Sequence, residues 1–393
     1  MFSLQRHREL FRVPELRATL LSSIAGRLPI GIAGLAILLF VQGRSGSFAL
    51  AGTASALYVL GLGIVAPCLG RLIDRLGPRP VLAVCAILYP TALIGLAALV
   101  LFSAHPAWVG AMAVLAGSTL PPVSACTRAL YPRIVQDPAL LPTAYSVDSA
   151  LVEAVFVLGP SLVAFCVAVG HAEAAIMVAA LASCVGTALF VRTPAVRRWA
   201  AATAHGTRDA WGVLRYPRLL VLFATTVLYS FAFGLLEVAV TAHASAKGAP
   251  ALAGVALALA SLGSGVGALV YGARHWRSPL HRQLLVALIM MASGLMLLVP
   301  IDHLTLFVLA NVVTGIPMAT VIATQSLLVA RYAPRERLAE GFTWSTTCLL
   351  MGVSAGIAAG GLLAEFYAAY WLLALGAGST ALAAGVAAVC LKE

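Results

Sequence analysis

Residues Gly70–Pro80 read GRLIDRLGPRP, eleven residues holding three arginines, an aspartate, two glycines and two prolines. The runs on either side, about 48–70 and 80–103, carry no charged residue. At about 1.5 Å of rise per residue, each can cross a hydrocarbon core of about 30 Å. A charged segment rich in turn residues between two such runs is a connection that lies outside the bilayer.

The same pattern recurs along all 393 residues, of which 61% are hydrophobic and 10% charged. A soluble chain would carry about 25% charged residues. Twelve membrane-length runs are read, at about 17–41, 48–70, 80–103, 107–127, 143–169, 174–191, 219–242, 251–272, 283–300, 304–328, 341–364 and 367–389. Lipid offers no partner for backbone polar groups, so runs of this length must be helices. The expected fold class is therefore an all-α polytopic membrane protein with twelve transmembrane helices. The first run is too long and too poorly flanked for a cleaved leader, and is expected to stay as the first helix.

The net charge of +11 is distributed by side. Arg6, Arg8 and Arg12 precede the first run and Arg17 opens it, and the connections after the even-numbered runs carry almost all the rest. With Lys392, 22 of the 25 basic residues fall on one side; Arg44 and Lys247 fall on the other, and Arg27 lies within a run. The positive-inside rule then predicts both termini in the cytoplasm. The charge reports topology, and no nucleic-acid partner is expected. Only Lys247 and Lys392 are lysines. That bias, with abundant Ala and Gly, suggests a bacterial chain of a GC-rich genome, placed in the inner membrane. The seven cysteines lie in or at the ends of apolar runs, CxxC and HExxH do not occur, and neither a disulfide framework nor a metal site is expected.

The longest basic-side connection, 192–218, divides the chain into six runs before and six after. The expected organisation is an N-terminal bundle over 1–191, a cytoplasmic linker over 192–218 and a C-terminal bundle over 219–393. A shift of 202 residues superimposes Gly70 on Gly272 and Arg75 on Arg277. Looser echoes pair Tyr131-Pro132-Arg133 with Tyr332-Ala333-Pro334-Arg335, and Ala144-Tyr145-Ser146 with Thr343-Trp344-Ser345. These echoes predict two pseudo-symmetric six-helix halves.

In that layout GRLIDRLGPRP resembles the cytoplasmic signature of the major facilitator superfamily between helices 2 and 3. Gly70, Leu72, Asp74, Arg75, Gly77 and Arg79 match it, while Pro78 and Pro80 stand where the family often has basic residues. The second copy, GARHWRSPLHR from Gly272, has Trp276 in place of the aspartate. The resemblance implies a transporter whose loop contacts the other half and stabilises one conformational state. Asp74 suits that task because a carboxylate is favoured at a helix N-terminus. The plainer alternative is a charged turn that only fixes topology.

Four charges fall inside the runs: Arg27, Asp148, Glu153 and Glu237. Each costs about 2.5–3.5 kcal/mol at mid-bilayer on insertion scales and so needs a partner or water. Counting about 1.5 Å per residue puts Arg27 and Glu153 both about 15 Å deep. In the major facilitator fold helices 1 and 5 are neighbours, so an Arg27–Glu153 pair is expected, either as a proton- or substrate-sensitive switch or as a permanent bridge. Asp148 is shallower, about 7–8 Å in, and is expected near Arg128 at the inner end of span 4. Glu237, about 27 Å along span 7, is expected near the outer surface.

Gly159-Pro160 resembles the Gly-Pro of the helix 5 motif of proton-coupled antiporters in the family, although Ala164 and Phe165 replace glycines there. The helix 4 arginine of that group has no counterpart in this reading, and Pro121-Pro122 is expected to bend span 4. Gly352, Gly356 and Gly360, like Gly263 and Gly267, recur every fourth residue, a spacing for close helix packing. The family places helices 1, 4, 7 and 10 around the cavity, which makes Tyr229, Phe231, Phe233, Asn311, Thr314 and Met318 candidate lining residues. Apolar lining suits an amphipathic or lipophilic molecule.

The reading is a secondary transporter exporting a small molecule by alternating access, driven by inward proton flow. It needs no cofactor beyond the proton gradient, its partners are substrate, protons and lipid, and it is expected to be a monomer. One alternative is an importer or uniporter on the same fold; another is a non-transporting sensor or assembly partner, which would need a soluble signalling domain that the longest basic-side connection is too short to be. No GxxxxGK[ST] motif and no catalytic cluster occur, so neither an ATP-driven pump nor an enzyme is expected.

Overall fold

The computed structural model describes residues 5–169, 171–199, 212–249 and 251–391, and every described span is helical. In chain order the α-helices are α1 (Gln5–Arg12), α2 (Pro14–Ser45), α3 (Phe48–Leu76), α4 (Pro78–Leu101), α5 (Pro106–Thr119), α6 (Val123–Ile134), α7 (Leu141–Ala168) and α8 (Ala172–Val191). They continue as α9 (Pro194–Arg198), α10 (Pro217–Ala246), α11 (Ala251–Gly272), α12 (Leu280–Leu298), α13 (Leu304–Tyr332), α14 (Leu338–Ala364) and α15 (Ala369–Cys390). Among the described residues twelve spans are long and apolar enough to cross a membrane, with α5 and α6 forming one interrupted span. Arg208 and Lys392, which enter the charge count above, lie outside the described residues, as do the first four residues of the chain.

Local chemistry sets the breaks. Gly46 takes a φ of 68° to end α2, and Gly77 a φ of 82° between α3 and α4, a region that costs glycine little. Proline at the first turn starts α2, α4, α5, α7 and α10, where its missing N–H would have had no helical partner. The span expected at 107–127 with a bend is instead two helices. Pro121 and Pro122 remove consecutive donors, Leu120 is extended, and the helix resumes as α6 to Ile134. That extension draws Arg128 inside the span, where it is 7% exposed, rather than leaving it at the inner end.

The helices pack in two sets. In the first, α2 lies against α7 and α8, α3 against α5, and α4 against α5 and α8. In the second, α10 lies against α14 and α15, α11 against α13, and α12 against α13 and α15. Backbones come close where glycines face across: a Cβ on Gly159 of α7 would lie 2.8 Å from Gly31 Cα of α2. The glycine rows on α14 and α11 seat against α10 and α13, packing within the second set. The sets meet along α3 and α14, and along α7 and α11.

Candidate functional site

At the arginine-rich end the first set grips the second at two crossings. The α14 N-terminus has backbone N–H groups with no helical partner, and the side chain of its own N-cap residue, Arg337, does not cap them. Asp74, in the last turn of α3, supplies it from the other set: its carboxylate accepts Ala339 N–H at 3.1 Å and Glu340 N–H at 2.8 Å. Oxygens and helix dipole favour each other here. Arg71 donates to Glu340 Oε1 through Nε at 3.1 Å and Nη2 at 2.7 Å. The same oxygen accepts the backbone N–H of Val213, at 3.3 Å, from the 3-10 turn Gly212–Arg215 that precedes α10. Gly70 makes the crossing possible, since a Cβ there would overlap Thr343 Oγ1 and lie 2.8 Å from Ala339 O.

The second crossing joins α7 to α11. Thr143 Oγ1 donates to Gly272 O at 2.7 Å, and Ser146 Oγ donates to Ala268 O. Here Gly272 gives the room: its Cβ would lie 2.9 Å from Ser146 Cβ. Nearby, Arg133 Nη2 donates to Arg335 O at 3.1 Å, and its guanidinium lies 4.2 Å over the Trp199 ring. Of the loop residues singled out by sequence, Gly70, Asp74 and Gly77 are buried, while Arg75 and Arg79 are exposed.

Deeper in the first set lies a buried charge cluster. Arg27 Nη2 donates to Asp148 Oδ1 at 2.5 Å, and Arg128 Nε donates to Asp148 Oδ2 at 2.6 Å. Tyr131 donates its hydroxyl to Asp148 Oδ1 at 2.6 Å, and Tyr145 donates to Arg128 O at 3.0 Å. The Arg27–Glu153 pair is therefore not formed. Glu153 instead accepts from Ser264 of α11 at 2.9 Å, and Ser264 Oγ accepts Ala319 N–H of α13 at the same distance. Two facts explain the exchange of partners. A helical side chain leans toward its own N-terminus, which carries the Arg27 guanidinium back toward the depth of Asp148. Residues five apart on a helix are also turned about 140° from each other, so Glu153 faces α11 while Asp148 faces α2 and α6.

The remaining candidates are placed as follows. Tyr229 donates to Gln325 at 2.5 Å, and its ring meets Phe233 edge-on with centroids 5.7 Å apart. Gln325 donates onward to Ser345 at 2.5 Å. Thr314 donates to Gly294 O at 3.0 Å and so ties α13 to α12. Asn311 donates to Phe307 O, and Met318 is buried. Glu237 lines an open groove with Val238, Thr241, Ala242 and Ile357. Sequence reasoning missed Glu340, Arg71 and Ser264 as partners. Glu340 stands one residue before the run read at 341–364, and a polar residue beside a span boundary was the available signal.

A family model described as Major Facilitator Superfamily matches residues 19–273 and again 222–393. Among solved structures, the human organic anion transporter MFSD10 is similar at 19% identity, over 97% of this chain and 99% of that one, with a TM-score of 0.73. A bacterial homologue of the iron transporter ferroportin in an outward-facing state is similar at 13% identity, over 95% and 98%, with a TM-score of 0.75. The proton:xylose symporter XylE is similar at 12% identity, over 97% and 96%, with a TM-score of 0.74. These likenesses are of fold. No curated protein matches the chain by sequence. Twelve spans, a GRLIDRLGPRP segment seated on the opposite set of helices, and a family match over nearly the whole length lead to one conclusion: the chain belongs to the major facilitator superfamily, as a multi-pass membrane transporter of small molecules and not an enzyme.

Proposed function

We propose that this chain exports a small amphipathic molecule by alternating access, with proton entry at Glu153 driving the cycle. The observation that carries the reading is the pair of hydrogen bonds that Asp74 accepts from the N-terminus of α14. Hydrogen bonds to a charged group contribute about 1.5–3 kcal/mol each, so this crossing is a defined barrier to opening the arginine-rich end. The α7–α11 crossing adds neutral bonds of about 0.5–1.5 kcal/mol each. Together they fit a carrier whose two halves rock about a central site, closed at that end in the state described. The arginine distribution supports a cytoplasmic location for that end, and both termini with it.

Glu153 suits a coupling role because it sits where α7 meets α11 with a hydroxyl, not a cation, as its partner. An unpaired carboxylate charge in hydrocarbon is costly, and taking up a proton removes that cost. Movement between the halves would change its access to water. Gly159-Pro160 on the same helix adds the antiporter-like resemblance.

Proteoliposomes with an imposed pH gradient and a panel of amphipathic compounds test the reading. Wild type should move protons in response to substrate, opposite to it in direction. Glu153→Gln should insert normally and lose that proton movement, and Asp74→Asn should slow transport at least several-fold. Proton movement in the same direction as substrate supports the importing alternative. If both variants match wild type, the mechanism is wrong.

A further inference from the structure

The cluster around Asp148 holds more positive charge and more donors than acceptors. Two guanidinium groups meet one carboxylate, leaving a buried excess of one positive charge. Both Asp148 oxygens are already used, Oδ1 by Arg27 and Tyr131 and Oδ2 by Arg128. Arg27 is 1% exposed, yet its Nε and Nη1 have no partner among the described residues. Helix α8 presses on α2 at the neighbouring position, where Gly186 meets Gly26, and on that helix the buried hydroxyls of Ser183 and Thr187 are also unpartnered. An unmade bond on a buried polar group costs about 1–3 kcal/mol, and more when the group is charged. An anionic group placed at Arg27 would answer both of its unpartnered guanidinium nitrogens and the uncompensated charge.

We propose that Arg27 is the recognition residue for an anionic group of the transported molecule, and that the substrate is a small amphipathic monoanion such as an organic carboxylate. The inference rests on the transport reading above and names its substrate class. A carboxylate joining the cluster brings its net charge to zero and gives Arg27 Nε–H and Nη1–H their missing acceptors. The seam is close by. Tyr145, bonded to Arg128 O, packs its ring 6.0 Å from Phe342 on α14. An anion held here neutralises the group on which the two sets converge.

The test is equilibrium binding, with no gradient. Thermal unfolding of the detergent-solubilised full chain is followed while benzoate, octanoate, benzamide or chloride is titrated in one zwitterionic buffer. Benzoate or octanoate should raise the midpoint saturably, while benzamide, a neutral counterpart of benzoate, should not. Arg27→Lys keeps the charge but loses the guanidinium donors and should weaken carboxylate affinity at least tenfold. Asp148→Asn raises the excess charge and should strengthen it several-fold, an outcome that a merely structural pair would not give. The proposal is overturned if neither carboxylate stabilises the protein, if benzamide matches benzoate, if chloride alone gives the whole effect, or if Arg27→Lys binds as wild type. Failure here with Asp74→Asn still altering transport removes the anion site and leaves the transport reading. Carboxylate binding without any transport does the reverse.

Discussion

Asp148 accepts from two arginines and a tyrosine while fully buried, so its carboxylate is the one negative charge that lets Arg27 and Arg128 share a hydrocarbon interior. Removing one partner of a buried pair leaves an uncompensated charge and costs about 3–5 kcal/mol. Asp148→Ala should therefore lower stability by about that amount in detergent unfolding, whereas Glu153→Gln, whose amide oxygen can still accept from Ser264, should cost under about 1 kcal/mol. Equal losses in the two variants would contradict this assignment of partners. The sequence made the intramembrane charges visible, because any charge stands out in an apolar run. It did not reveal their partners, because depth counted along the backbone ignores the lean of a long side chain and the face to which each residue turns.

At the level of helices, α14 begins with a cap that another part of the chain provides. Its first turn is thus stable only while α3 stays in contact. Gly70→Ala would push a methyl group into Thr343 and the Ala339 carbonyl, so α3 must withdraw and the cap must loosen. A thiol introduced by Ala339→Cys, buried in the present state, should then react with a soluble maleimide several-fold faster in the Gly70→Ala background. Among the short helices, α1 carries His7, whose ring is half-buried with both nitrogens unpartnered among the described residues. Burial pushes its pKa below the ordinary value of 6.5, so the folded state prefers the neutral ring. The contribution is whole above pH 6.5 and is lost as the pH falls from there toward the lowered value. A spin label at Phe11→Cys should grow more mobile as the pH drops through that range, and His7→Gln should flatten the response. The α5–α6 break was half legible: two prolines announced a disturbance, but whether a helix bends or restarts depends on how its neighbours hold the far side.

The whole molecule turns on the two crossings that join the helix sets, α3 with α14 and α7 with α11. If rocking of the sets is the working motion, a covalent link at one crossing should stop it. Gly272→Cys with Ser146→Cys places Cβ atoms 2.9 Å apart, short of the about 3.8 Å that a disulfide favours, so the link forms once the helices ease by under about 1 Å. In a background lacking the native cysteines, oxidation should abolish substrate movement and reduction should restore it; full activity while oxidised would rule out motion at this crossing. The number of spans was the most legible property of all, because span length and turn chemistry are each written locally. The partners across the seam were not, since they depend on contacts more than a hundred residues apart, such as Arg71 with Glu340.

The backbone amide of Val213 has a consequence of its own. It is buried and donates to the same Glu340 oxygen that Arg71 holds, so the segment entering α10 is tied into the crossing at α14. Both partners belong to the second set, so their bond persists when that crossing parts, but Arg71, whose Nη2 lies 2.5 Å from where a Cβ on Gly212 would stand, withdraws with α3 and uncovers the amide to water. Its rate of deuterium uptake is therefore a gauge of how often the carrier opens, readable at one peptide and without knowledge of the cargo. A compound that traps the closed state would slow the gauge, and one that speeds turnover would quicken it.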